Sequence, residues 1–235
     1  MHARQEEQDS PSIGIAVEGS SAKRPERTTL SGRIVTLAPL DVNAHAEALC
    51  EEVCGPDKER LWLYLSEGPF ADRASFYASL REKSVSSDPL FFAIVDNASL
   101  RPVGYAALLR IDPNHRSIEV GGILFTPRFQ RTAGATEAMY LLARHIFEDL
   151  GYRRYEWKCD SLNTRSRCAA LRLGFTFEGI FRQHRIVKGR NRDTAWFSML
   201  DSEWPTRKAS LERWLAPSNF DAAGQQKESL ARLDA

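Results

Sequence analysis

Ile118-Glu119-Val120-Gly121-Gly122-Ile123-Leu124-Phe125, followed by a short turn and then Gln130-Arg131-Thr132-Ala133-Gly134-Ala135-Thr136-Glu137-Ala138, decides how this chain folds. The first stretch alternates apolar positions at Ile118, Val120 and Leu124 with others, as a strand does. Its two adjacent glycines read as the place for a bulge that exposes unpaired backbone, the alternative being a simple bend against a crowded core. The second stretch opens a helix, because Ala135, Met139, Leu142, Ile146 and Leu150 recur at three- and four-residue spacing. Small residues at Ala133, Gly134 and Ala135 leave the first-turn amides uncovered. Those amides have no intrahelical partner, and the helix dipole puts partial positive charge on them. A strand that runs into such a helix start is a device for binding an anion, most simply a phosphate or pyrophosphate.

Working outward, Arg154 to Asp160 alternates with Tyr155, Trp157 and Cys159 on one face and Arg154, Glu156 and Lys158 on the other. It is the strand expected after the central helix, parallel to Ile118–Phe125 through a right-handed crossover. Upstream, Leu90–Val95, Val103–Ile111 and Ile118–Phe125 are joined by short links and read as an antiparallel meander. Ile34–Leu37 is a first strand, Asp41 caps a helix through about Val53, Glu59–Leu65 is a second helical region, and Asp72 opens another helix ending near Lys83. Downstream come a short helix from Asn163 to Leu173, a hairpin of Phe175–Val187 and Thr194–Leu200, and a terminal helix from Glu203 to Leu215. The pattern is α/β (α+β): a mixed central sheet flanked by helices. Residues 1–27 are polar and without period and read as a disordered leader, 28–216 as one domain, and 217–235 as a tail.

Bulk properties narrow the function classes. The chain has 235 residues, 43% of them hydrophobic, and 32 basic against 31 acidic residues, a net charge of +1. Nothing in that balance points to a nucleic-acid binder. The four cysteines form no paired motif and read as free thiols in a reducing compartment, and the five histidines show no metal-ligand spacing, so no metal is expected. There is no apolar run of membrane-spanning length and no apolar signal core, which leaves the cytoplasm as the expected location.

In three signatures, in order, the chain resembles the GNAT superfamily, the Gcn5-related N-acetyltransferases, and within it the RimJ/RimL-like branch. The family's phosphate loop, Q/R-x-x-G-x-G/A, corresponds to Gln130-Arg131-Thr132-Ala133-Gly134-Ala135; the branch's Ala-Thr-Glu-Ala to Ala135-Thr136-Glu137-Ala138; and the second helix to Asn163-x-x-Ser166, ending in Leu173-Gly174-Phe175. The resemblance spans about Thr28 to Leu215. It implies a GNAT fold with strands splayed at the acetyl-CoA site, acetyl-CoA as donor and a primary amine, on a small molecule or a protein N-terminus, as acceptor. It places the pantetheine arm and thioester carbonyl at the backbone of Ile123, Leu124 and Phe125. The pyrophosphate falls at Thr132, Ala133, Gly134, Ala135 and Thr136, with Arg128, Gln130 and Arg131 beside it. The family's first loop glycine is Ala133 here, and its methyl narrows the approach.

Asn163 matches the motif asparagine that contacts the CoA arm; it is also well suited to cap its helix. Ser166 falls at the position near the thioester sulfur. Many relatives place a tyrosine four residues beyond as the acid for the leaving thiolate, and this chain has Ala170 there, so Ser166, a water or another hydroxyl must serve. Glu119 is the candidate to receive the amine's proton, directly or through water; the alternative is a cross-strand ion pair with an arginine of the preceding strand. Glu156 and Asp160 stand behind it, Glu156 being expected to face solvent, and Glu137 is expected to complement the helix dipole.

Arg182 to Arg192 is densely basic and reads first as a solvated hairpin, second as a site for an acidic acceptor or a docking edge. It lacks aromatic interleaving, which argues against nucleic acid. Trp62, Tyr64 and Phe70 read as core or as the wall of an acceptor pocket. The aromatic C-terminal helix leaves a homodimer open. Two other classes of function remain: a catalytically silent acyl-CoA-binding module, suggested by Ala133 and Ala170, and an interaction module built on the basic hairpin.

Overall fold

The computed structural model describes residues 13–230. Eight strands form one sheet: β1 (Leu30–Ser31), β2 (Val35–Pro39), β3 (Leu90–Asp96), β4 (Pro102–Asp112), β5 (Ser117–Phe125), β6 (Arg154–Asp160), β7 (Thr176–Val187) and β8 (Arg190–Leu200). Five helices flank it: α1 (Val42–Val53), α2 (Arg73–Val85), α3 (Ala133–Arg144), α4 (Thr164–Arg172) and α5 (Trp204–Leu215). The strand order is β1-β2-β3-β4-β5-β6-β8-β7, and β5–β6 is the parallel pair in an otherwise antiparallel sheet. The mixed sheet and the crossover through α3 agree with the expectation from sequence.

Local chemistry explains where the helices start. Asp41, Asp72, Thr132 and Asn163 each accept, through their own side chains, the amide of a residue three positions on. The sheet has a core on each face. Beneath α3 and α5 lie Ile118, Val120, Met139, Leu142, Tyr155, Phe197 and their neighbours. Beneath α1 and α2 lie Leu49, Trp62, Phe76, Phe91, Tyr105 and Leu124. α1 and α2 therefore cover the β2–β4 half of the second face, and the β5–β8 half of that face holds the polar residues described below.

Several expectations are corrected. The region expected as a helix over Glu59–Leu65 is a 3-10 segment, Pro56–Leu61, whose end buries Trp62 completely. The central helix does not run uniformly to Leu150: it widens into a π-turn at His145–Asp149, where His145 Nδ1 meets Asp149 Oδ2 at 2.7 Å. Part of the expected leader, residues 1–12, lies outside the described residues. Its C-terminal part already packs on the sheet, since Ala22 is buried and its amide donates to Pro113 O. Beyond Pro217 the chain also packs: Leu230 is buried, Trp214 Nε1 donates to Gln226 Oε1, and Asn219 donates to Trp214 O. Residues 231–235 of the expected tail lie outside the described residues.

Candidate active site

β5 and β6 pair only from Ser117–Arg154 to Val120–Trp157. Beyond that point β6 stays with β8 as far as Asp160–Thr194, while β5 stays with β4 as far as Phe125–Gly104. The strands part, and the backbone of Gly121–Phe125 turns an unpaired edge to the gap. The bulge predicted at the glycine pair is there: Ala107 faces Gly121 and Tyr105 faces Leu124, so β5 carries one more residue than β4. Gly122 sits at φ +56, a left-handed backbone that an L side chain resists, and a Cβ there would also lie 3.3 Å from the Phe91 ring. Ile123 is in the bulge. Leu124 contributes its side chain to the second core.

The gap leads to the start of α3. Thr132 Oγ1 accepts from Ala135 N at 3.2 Å, which occupies one of the first-turn amides expected to be free. Gly134 is buried, and a Cβ on it would fall 2.8 Å from the Phe129 ring and 3.2 Å from Ile34 and Val35. Its smallness therefore serves close packing of helix on sheet, and Ala133 beside it is partly buried against the same core. Gln130 Nε2 donates to Phe125 O, tying the turn to the end of β5. Thr136 Oγ1 accepts from Arg172 of α4 at 3.0 Å. Arg131 is exposed, whereas Arg128 meets Glu52 of α1 at 3.3 Å.

Glu137 corrects an expectation. Rather than acting on the helix dipole alone, its buried carboxylate accepts three main-chain amides: Arg33 N at 3.1 Å, Ile34 N at 2.6 Å and Val35 N at 2.8 Å. It clamps the β1–β2 turn to α3.

Glu119 is buried at the gap's edge on the face away from α3. Its Oε2 lies 2.7 Å from Arg110 Nε and 2.9 Å from Lys158 Nζ. The arginine expected as a structural partner is thus present, joined by a lysine. Lys158 also meets Glu156 Oε2 at 2.6 Å and stands 3.8 Å above the Trp196 ring. Glu156, expected in solvent, is half-buried and joined to Arg154, which reaches Glu178. Arg110, Glu119, Lys158, Glu156, Arg154 and Glu178 alternate in sign. Burial, the largest single effect, pushes Glu156 up, but the hydrogen bonds and charges of Lys158 and Arg154 together outweigh it and hold the group below the ordinary carboxylate value. The strand alternation placed Arg154, Glu156 and Lys158 on one face; only the register against Glu119 shows that this face is closed.

Ser166 lies on the other face of the sheet. Its Oγ accepts from Trp157 Nε1 at 2.9 Å, and Trp157 is the last β6 residue paired with β5. Because that oxygen is the acceptor, the hydroxyl hydrogen can donate, and the Cys159 thiol lies within its reach. Asn163 Oδ1 accepts Ser166 N, so its capping role is present. Ala170, at the expected tyrosine position, is fully buried.

Two contacts close the far side. Lys188 at the hairpin tip donates to Trp62 O at 2.6 Å, and Tyr64 donates to Leu162 O at 3.2 Å. Trp62 and Phe70 are core, with ring centroids 5.0 Å apart, while Tyr64 joins the 3-10 segment to the approach to α4. In β7, Arg182–His184 form a second bulge against β8. His184 Nδ1 lies 2.9 Å from Thr194 Oγ1, and its ring leans on Phe181 and Trp196.

Comparison with known proteins gives one answer. The family model for the acetyltransferase (GNAT) domain matches residues 35–176. The structure of a GCN5-related N-acetyltransferase from Brucella melitensis superposes with a TM-score of 0.90 at 50% identity, covering 92% of this chain and 98% of that one. A GNAT-family protein from Chromobacterium violaceum ATCC 12472 superposes with a TM-score of 0.76 at 39% identity, over 83% of this chain and 98% of the other. YdaF of Bacillus subtilis (strain 168), provisionally named a ribosomal N-acetyltransferase, is 27% identical over 177 residues, 73% of this chain and 92% of its own.

Proposed function

The chain belongs to the GNAT acetyltransferase family, and from that premise we propose that it transfers the acetyl group of acetyl-CoA to a primary amine by direct attack. The observation that carries this reading is the junction of an unpaired strand edge, Gly121–Phe125, with the start of α3, where the Thr132 cap takes the Ala135 amide. An extended arm bearing amides fits the edge, and a pyrophosphate fits the helix start. Acetyl-CoA supplies an activated acyl group and a good leaving thiolate.

The chain's own residues do the rest. Main-chain amides at Ile123 and Phe125 hold the arm and polarise the thioester carbonyl. The amides of Ala133 and Gly134, with Arg131 and Gln130, take the phosphates. Asn163 reaches the arm, and Arg128 can turn from Glu52 to the same charge. The amine attacks the carbonyl carbon; the C–N bond forms and the C–S bond breaks. Glu119 takes the amine's proton on the oxygen that Arg110 and Lys158 leave free, directly or through water. Ser166 gives its hydroxyl hydrogen to the leaving sulfur and regains a proton from water, while Glu119 releases the amine's proton to water, so the net transfer is one proton from amine to thiolate. These two groups flank the point where β5 and β6 separate, one on each face of the sheet, so both can reach the same reacting centre. The acceptor is a small-molecule amine or a protein N-terminus. Four unpaired thiols, Cys50, Cys54, Cys159 and Cys168, suit a reducing cytoplasm.

Thiol release from acetyl-CoA over a panel of peptides and small amines tests the reading. We expect turnover with part of the panel and loss of the acidic limb of the pH–rate profile in Glu119→Gln. Heat of acetyl-CoA binding without turnover on any amine would leave a silent binding module in its place.

A further inference from the structure

The basic hairpin is not explained by acetyl transfer alone, and its charges do not cancel. The six-residue chain from Arg110 to Glu178 is neutral within itself. Arg192 of β8 stands outside it. The guanidinium is half-buried, its Nε is shut off from solvent, and no hydrogen bond or salt bridge among the described residues holds it. A buried donor left without an acceptor costs free energy, and more so when it is charged. Alternation along β8 puts Arg192 on the same sheet face as Thr194 and Trp196, whose β6 partners are Asp160 and Lys158. The groups that act on it come from every neighbouring strand: Asp160 and Cys159 of β6, Glu119 of β5 and Arg185 of β7, its cross-strand partner. Arg185 is exposed and equally unpaired.

The surroundings report the same imbalance. His184, held by Thr194, is kept below the ordinary imidazole value by desolvation and then by Arg185, Arg110, Arg192 and Lys158, four cations with no anion among them. That field sits at the rim of the β5–β6 gap, on the side from which Glu119 would meet an amine.

We infer that the acceptor carries a carboxylate beside its amine, and that Arg192, with Arg185, binds it and so selects the substrate. The inference rests on the acetyl-transfer reading. A carboxylate matches the planar fork of a guanidinium and supplies the ion-pair partner that Arg192 lacks among the described residues. It also screens the cationic field around His184, and that field draws anionic acceptors toward the gap.

The test uses the full chain and matched acceptors: ω-amino acids of increasing length, and dipeptides with an acidic second residue, each beside its uncharged amide. We expect kcat/KM to favour the carboxylate member by about tenfold or more. In Arg192→Gln that preference falls toward unity, in Arg192→Lys it is partly restored, and Arg185→Gln weakens it through KM. Arg190→Gln, at the exposed turn, controls for net charge. Equal kcat/KM for both members in the unaltered protein, or an equal fall for both in Arg192→Gln, overturns the inference while leaving acetyl transfer intact. Should no acceptor turn over, acetyl transfer fails by itself. Calorimetric binding of the carboxylate members to the acetyl-CoA complex then decides the present point: affinity lost in Arg192→Gln supports it, and affinity unchanged refutes it.

Discussion

Lys158 Nζ lies 2.9 Å from Glu119 Oε2, and the two side chains expose only 4% and 6% of their surface. Each needs the other, because an ionised group in that setting has little water to solvate it. Replacing Lys158 by Met leaves Glu119 with Arg110 and Glu156 with Arg154, so each carboxylate keeps one cation. We expect a loss of about 3 kcal/mol in chemical denaturation. kcat should also fall, since Glu119 loses the group that orients it.

Glu137→Gln should cost about 2–3 kcal/mol, read as a lowered urea midpoint. The carboxylate takes Arg33 N on one oxygen and Ile34 N and Val35 N on the other. An amide has only one oxygen, so its NH2 group must face a backbone donor. An unchanged midpoint would mean that the clamp carries no net stability.

Gly134→Ala and Ala133→Gly should act in opposite directions on acetyl-CoA binding. The first pushes a methyl to 2.8 Å from Phe129, and we expect a net cost of about 1–2 kcal/mol with weaker acetyl-CoA binding. The second removes a partly buried methyl at a cost of about 1 kcal/mol and should tighten acetyl-CoA in calorimetry.

Ser166→Ala removes both a hydroxyl donor and the acceptor of Trp157 Nε1. A fall of about tenfold in kcat with little change in acetyl-CoA affinity is expected. The low proton affinity of a thiolate leaving group keeps the effect modest. An unaltered kcat would assign the thiolate's proton to water.

Stability should decline on the acid side of neutrality. His45 is held below the ordinary imidazole value of 6.5, chiefly by burial, and its Nδ1 accepts from Asp41 N at 3.0 Å, which requires the neutral ring. His184 is shifted in the same direction. With the folded value depressed, the unfolded chain binds a proton that the native one refuses, so stability is complete above the ordinary value. It is lost as pH falls from there through the folded value, and it levels off below. Denaturation series from about pH 8 to pH 5, with NMR titration of both rings, check the sign. A stability that rises on acidification would contradict it.

Features governed by near neighbours were legible in the chain. Helix starts at Asp41, Asp72 and Asn163 follow from side chains that reach an amide three residues on. The bulge follows from Gly121-Gly122, and the β5–α3–β6 crossover from alternation on either side of a 3.6-residue period. β7 lies at the sheet edge because most of its side chains are exposed, whereas β8 alternates Ala195, Phe197 and Met199 into the core.

The site was legible in outline only. Glu119, Ser166 and Asn163 stand out by type and position, but their neighbours do not. Lys158 looks like a solvent-facing residue until β5 is laid beside β6, and the packing reason for a glycine at Gly134 is hidden until Phe129, Ile34 and Val35 surround it. Glu137 meets amides about a hundred residues away.

The order of residues alone determined most of the strands and helices and the place of the β5 bulge, though not the 3-10 segment at Pro56–Leu61 or the π-turn at His145–Asp149, because most of these depend on backbone preferences and contacts within a few positions. Only the tertiary structure decided which charges are paired. Lys158 is ion-paired from two strands, while Arg192 makes no ion pair among the described residues and feels Asp160 and Glu119 only at longer range, because Coulomb energy depends on distance and dielectric, which chain assembly alone sets.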